Sequence, residues 1–166
     1  MMNESDILKM LGETGALLSG HFELRSGLHS NRFFQCANVL RYPRVAGRLC
    51  DELVERLKAA QELGRVDGVI SPALGGILVG HEVARALDVK CVFAEKQEGR
   101  LVMRRFALKP GERYVVAEDV ITRGGRVQET IDIVRAAGAE VVAVVVLVDR
   151  SAGQASFGYP TYSLLQ

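Results

Sequence analysis

The chain has 166 residues, 48% hydrophobic and 25% charged, which is enough for one domain with a substantial core. A formal net charge of +1 excludes the broadly basic surface of a nucleic-acid binder and leaves room only for a local basic pocket. No apolar run reaches the ~18 residues that cross a bilayer, and the acid-bearing start MMNESDILKM lacks a signal-peptide core, so no membrane partner and a cytoplasmic location are expected. Cys36, Cys50 and Cys91 are widely spaced with no CxxC, which points to reduced thiols rather than a disulfide framework or zinc site.

In chain order, Asn3 to Thr14 carries the apolar stripe Ile7, Leu8, Leu11 with Asn3 or Ser5 as cap, and predicts a helix. Residues 16 to 40 alternate short apolar runs with Gly and Ser turns, and predict a small hairpin region. Pro43 opens a helix that runs to about Ala60 on Val45, Leu49, Leu53 and Leu57. A strand, loop, helix rhythm follows: strand Val66 to Ile70, loop SPALGG, helix Ile77 to Leu87, strand Val89 to Ala94. After an interruption come strand Arg113 to Ala117, the stretch EDVITRGGR, and a helix from Val127 to Ala137 stopped by Gly138. Val141 to Val148 is apolar on both faces, as in a parallel sheet covered by helices. The expected fold class is α/β, an open and mostly parallel sheet flanked by helices, in a single domain spanning 1–166.

The interruption, residues 95 to 112, contains Lys96, Arg100, Arg104, Arg105 and Lys109 with turns at Gly99 and Pro110-Gly111. It reads as a long, basic, partly β hairpin excursion. Together with SPALGG and EDVITRGG it should meet at the C-terminal edge of the sheet, where open α/β folds bind ligands. Gly75 and Gly76, like Gly124 and Gly125, would let backbone N–H groups at a helix start approach a phosphate, aided by the Thr122 hydroxyl. There is no GxxxxGK[ST] and no GxGxxG. Glu118 and Asp119 cannot bind phosphate, but they can accept hydrogen bonds from sugar hydroxyls or hold Mg²⁺. Phosphate plus diol describes a ribose 5-phosphate.

VVAEDVITRGG resembles the phosphoribosyl diphosphate (PRPP) signature of type I phosphoribosyltransferases. FELRSGLHSNRFF, SPALGGILVGHEVARAL and LVDRS, in that order along nearly the whole chain, resemble segments of short-form orotate phosphoribosyltransferases. The resemblance implies transfer of phosphoribosyl from PRPP to orotate, giving orotidine 5′-monophosphate and diphosphate in pyrimidine nucleotide synthesis. It implies Mg²⁺ bound to PRPP, with Asp119 as the protein group that could touch it, and a homodimer with shared active sites. Residues 1–40 would form an N-terminal hood, and 95–112 a mobile loop that closes over the neighbouring subunit's site. The PRPP site would comprise Glu118 and Asp119 on the ribose hydroxyls and the run Val120, Ile121, Thr122, Arg123, Gly124, Gly125, Arg126 around the 5′-phosphate, with Gly75 and Gly76 at the diphosphate. Orotate would meet Arg150 through its carboxylate, Phe33 and Phe34 through its ring, and Thr122 and Arg25.

Two departures from the family pattern stand out. Where many members carry Lys in the diphosphate loop, this chain has Gly75, and the basic excursion has no His. Lys96 is the favoured catalytic loop residue, with Arg100 or Arg105 sharing the diphosphate charge. A phosphoribosyltransferase for another base such as adenine, or a PRPP-sensing regulator without turnover, would share the acid-pair motif. The first would not need Arg150 or the FELRSG…FF segment, and the second would not need a basic clamp on a leaving group.

Overall fold

The computed structural model describes residues 2–23, 29–60 and 62–166. The N-terminal helix α1 (Glu4–Glu13) is capped as expected, the Asn3 side chain accepting the Asp6 N–H. Strands β1 (Leu17–Glu23) and β2 (His29–Phe34) form a two-stranded antiparallel ribbon. A short helix α2 (Ala37–Leu40) leads into α3 (Pro43–Ala60).

The rest builds one six-stranded sheet in the order β5-β4-β3-β6-β7-β8. Its members are β3 (Gly68–Pro72), β4 (Lys90–Gln97), β5 (Arg100–Val102), β6 (Arg113–Ile121), β7 (Glu140–Asp149) and β8 (Thr161–Leu165). All neighbours are parallel except β4 and β5. Helix α4 (Gly76–Leu87) follows β3, and α5 (Gly125–Ala136) follows β6. The two helices cover opposite faces. Val69, Val115, Ala117 and Val145 pack with α1 to α4, while Ile70, Val116, Val144 and Val146 pack with Val127, Ile131 and Val134 of α5. Burial on both sides is why β7 is apolar throughout. Among the described residues no helix is long and apolar enough to cross a membrane.

Several boundaries and elements differ from the expectations, among them the following. The strand expected at Val66 begins at Gly68, where pairing with Lys90 and Tyr114 starts. Gly68 is required there, because a Cβ would sit 2.8 Å from the Tyr114 ring. The strand expected to stop at Ala117 runs on to Ile121, so the acid pair lies on a strand and not in a loop. The excursion begins as a hairpin: β4 continues to Gln97, turns at Glu98 and Gly99, both at positive φ, and returns as β5. Finally β8, parallel to the end of β7, was not anticipated.

Candidate active site

β3 and β6 are adjacent, yet β3 hands on to a helix on one face and β6 to a helix on the other. That is the switch point at which an open α/β sheet has a crevice. Pairing between the two strands ends at Ile70↔Val116, and β6 continues five residues further. Its free amides are satisfied locally: Glu118 Oε1 accepts the Asp119 N–H at 3.0 Å, and Asp119 Oδ1 accepts the Val120 N–H at 2.8 Å.

Both carboxylates lie against the SPALGG loop. A Cβ on Gly75 would sit 2.9 Å from Asp119 Oδ2, and a Cβ on Gly76 would sit 3.0 Å from Glu118 Oε1. Gly75 has ordinary helical angles, φ −59° and ψ −40°. At these two positions, therefore, glycine makes room for the acids. Glu118 is 7% exposed, and burial together with the neighbouring Asp119 carboxylate pushes its carboxyl pKa up, against the pull of Arg126. The Cys36 thiol, beneath the pair at 3.9 Å from the Asp119 carbonyl, is pushed up to about 12, chiefly by burial.

The loop Thr122 to Arg126, expected to hold phosphate, forms the other wall. A pocket of about 250 Å³ is lined by Glu118, Ile121, Thr122, Gly124, Arg126 and Glu129, among others. Gly124 adopts φ +78° and packs so that a Cβ would meet Phe157 at 2.7 Å. It turns the chain into α5, whose first N–H groups have no partner within the helix. Thr122 and Arg123 are exposed at the rim. Larger hollows exist elsewhere, such as one of about 590 Å³ beside Leu63 and Leu87, but it lies by the C-terminal ends of α3 and α4, away from the acids and the phosphate loop.

Arg150 follows β7 and is fixed by its N–H to the Ile121 carbonyl at 2.8 Å, beside the phosphate loop. Asp149 shapes that turn by accepting the Ser151 N–H. The Arg150 guanidinium lies 5.8 Å from the centre of the Phe34 ring. Phe33, the next residue on β2, stacks with Phe22 at 5.6 Å instead, as alternation along a strand requires. The structure thus joins Phe34, but not Phe33, to Arg150. Arg25 lies outside the described residues.

The basic hairpin occupies the far edge of the sheet. Lys96 and Arg100 are exposed on β4 and β5. Arg105 is held by Glu95 through two contacts of 3.0 and 3.2 Å. The returning segment packs through Phe106 on Phe93. Sequence reasoning missed Glu129, which accepts from Arg126 and from the Leu101 backbone. Its only local signal is the three-residue spacing from Arg126.

A phosphoribosyl transferase domain matches residues 46–165. An orotate phosphoribosyltransferase of Desulforamulus reducens is 52% identical over 99% of this chain and 84% of the relative. The crystal structure of orotate phosphoribosyltransferase from Aeropyrum pernix superposes with a TM-score of 0.74 at 28% identity, over 96% of this chain and 93% of that one. An adenine phosphoribosyltransferase from Thermoanaerobacter pseudethanolicus, 18% identical, reaches 0.75 over 98% of this chain and 99% of that one, which shows that the fold is shared across bases. The acid pair at the switch point, the phosphate loop beside it and these relatives agree: the chain belongs to the phosphoribosyltransferase family, and within it to the orotate phosphoribosyltransferases.

Proposed function

We propose that the protein transfers the 5-phosphoribosyl group of PRPP to orotate, releasing diphosphate and orotidine 5′-monophosphate for pyrimidine nucleotide synthesis. The observation that carries the choice of base is Arg150. Its backbone is pinned to the end of β6, and its side chain stands over Phe34 next to the ribose-phosphate pocket. A guanidinium beside an aromatic face suits a planar ring bearing a carboxylate.

The remaining roles follow from charge. Glu118 and Asp119 accept the ribose hydroxyls, and the amides at the start of α5 hold the 5′-phosphate. Positive charge that builds on the ribose as the C1′ bond breaks lies near the acids. Negative charge on the departing diphosphate meets Lys96, with Arg100 or Arg105 after release from Glu95. The donors offered by the acid pair are oxygens only, with Asp119 Oδ2 facing the glycine loop, and this fits Mg²⁺. Bound with PRPP, the ion would neutralise diphosphate charge, with Asp119 as its protein contact. The reading further includes a homodimer whose hairpins serve each other's sites. Three free cysteines support a reducing, cytoplasmic setting.

The deciding experiment is a base panel with PRPP and Mg²⁺. Turnover of orotate alone supports the reading. Turnover of adenine and not orotate refutes it, as does PRPP binding with no product from any base. Mixing a Lys96→Ala subunit with an Asp119→Asn subunit tests the shared site, because only an exchanged hairpin rebuilds a competent one.

A further inference from the structure

Leu101 lies in β5, the outermost strand of the sheet. It stands opposite Lys96, between the pairs Gln97↔Arg100 and Glu95↔Val102. In a hairpin with a two-residue turn the closing pair exchanges hydrogen bonds, so the next pair turns its amides outward. The Leu101 N–H is therefore an edge amide in need of a partner. Glu129 of α5 provides it, Oε2 accepting at 3.1 Å. The same oxygen accepts from Arg126 Nη1 at 3.0 Å. Arg126 sits in the first turn of α5 and lines the phosphate pocket. Glu129 lines that pocket and also a hollow of about 530 Å³ under Arg100 and Leu101. One carboxylate oxygen thus ties the phosphate loop to the strand pair that carries Lys96.

We propose that Glu129 is a positioning residue that couples occupancy of the phosphate loop to the seating of the basic hairpin. The inference rests on the roles given above to the phosphate loop and Lys96. A bound phosphate competes for the Arg126 guanidinium. Oε2 then loses its cation and becomes the stronger acceptor for Leu101, because an uncompensated carboxylate binds an N–H more tightly. Binding of the ribose phosphate in one subunit would thereby firm the hairpin that, in the exchanged arrangement proposed above, brings Lys96 to the partner's site. Residues directly opposed across an antiparallel pair share a face, so Lys96 moves with Leu101.

The test combines amide hydrogen exchange at Leu101 with steady-state kinetics, using ribose 5-phosphate as the probe. In the wild type the probe should slow Leu101 exchange by roughly tenfold, the scale of one strengthened charged hydrogen bond. In Glu129→Ala the amide should exchange roughly tenfold faster than in wild type and ignore the probe. That variant should lose about ten- to a hundredfold in kcat, with the orotate KM within about twofold, as expected when a catalytic group is misplaced. Glu129→Gln keeps an acceptor for Leu101 without the ion pair, and should return kcat to within about threefold while Leu101 stays protected with or without the probe. Normal kcat in Glu129→Ala overturns the proposal, and so does an equal loss in Glu129→Gln or a Leu101 exchange rate in wild type that bound ribose 5-phosphate leaves unchanged. Absence of orotate turnover in the wild type would overturn the proposed function, whereas the exchange comparison would still decide whether Glu129 seats the hairpin.

Discussion

Replacing Gly76 with Ala separates the space needed by the acid pair from any need for backbone freedom. The added Cβ would meet Glu118 Oε1 at 3.0 Å, Pro72 Cδ at 3.1 Å and the Ala117 carbonyl oxygen at 3.2 Å, where ordinary contact begins at 3.4 Å. Pro72 and Ala117 belong to β3 and β6 at the centre of the sheet, so the Glu118 side chain is the neighbour that must give way. Overpacking of this kind costs about 1–3 kcal/mol. Alanine's better helix propensity returns at most about 1 kcal/mol. The net loss of about 1–2 kcal/mol should lower Tm by roughly 2–8 °C for a chain of this size. Displacing Glu118 by a few tenths of an ångström should lower kcat/KM for PRPP by about tenfold, since a full ångström costs about a hundredfold. Melting curves and a coupled assay of orotate consumption measure the two effects. Gly12→Ala is the control, because its Cβ meets nothing within 4 Å on α1, and it should be stabilising by about 0.5–1 kcal/mol. Unchanged Tm and unchanged activity in Gly76→Ala would refute the claim that this glycine exists to seat Glu118.

Three further outcomes are expected. Asp119→Asn should fold normally and lose at least about a hundredfold in kcat, as removal of a preorganised charge does; near-normal turnover would contradict its place on the ribose. Arg150→Ala should raise the orotate KM by roughly ten- to a hundredfold, the value of one charge-assisted pair, with little change in the PRPP KM; equal changes would count against a carboxylate contact. Glu112 is held well below the usual carboxylate range, at about 2, by Lys90, then the Tyr114 hydroxyl and the Lys109 N–H. A depressed pKa stabilises the fold above the unfolded value of 4.5 and loses that contribution as pH falls towards 2. Glu112→Gln should therefore lower Tm by roughly 2–8 °C at pH 7, for about 1–2 kcal/mol, with the gap to wild type closing between pH 4.5 and 2; a gap independent of pH would refute the assignment.

What the sequence disclosed depended on how local each cause was. The apolar run of β7 was legible because both of its faces are buried from Ala143 onward. The caps of α1 and the stop at Gly138 are chemistry within a few residues. β8 was not legible, because Thr161 to Leu165 becomes a strand through pairing with β7, about seventeen residues back in the chain at each register position. The turn of the basic hairpin was legible at Gly99, although its other turn residue, Glu98, is of a type that seldom adopts positive φ. Glu129 went unnoticed, since its partner in β5 is 28 residues away.

The acid pair shows how the two kinds of information combine. Its adjacency to the phosphate loop could be read directly, but the reason both acids can be there lies in the sheet. β3 and β6 stop pairing with each other after Ile70 and Val116, β6 continues paired only with β7, and the gap is filled by Glu118 and Asp119 folding onto their own strand's amides and onto two glycines at the start of α4. On the proposed roles, everything that would grip the phosphoribosyl group comes from one crossover point and would serve any base. On the same proposed roles, choice of base falls to Phe34 and Arg150, which come from the ribbon and from the end of β7 and meet each other beside the crevice. The ribbon lies outside the six-stranded sheet, so a residue such as Phe34 can change while the sheet does not, and the adenine phosphoribosyltransferase of equal structural likeness shares this fold.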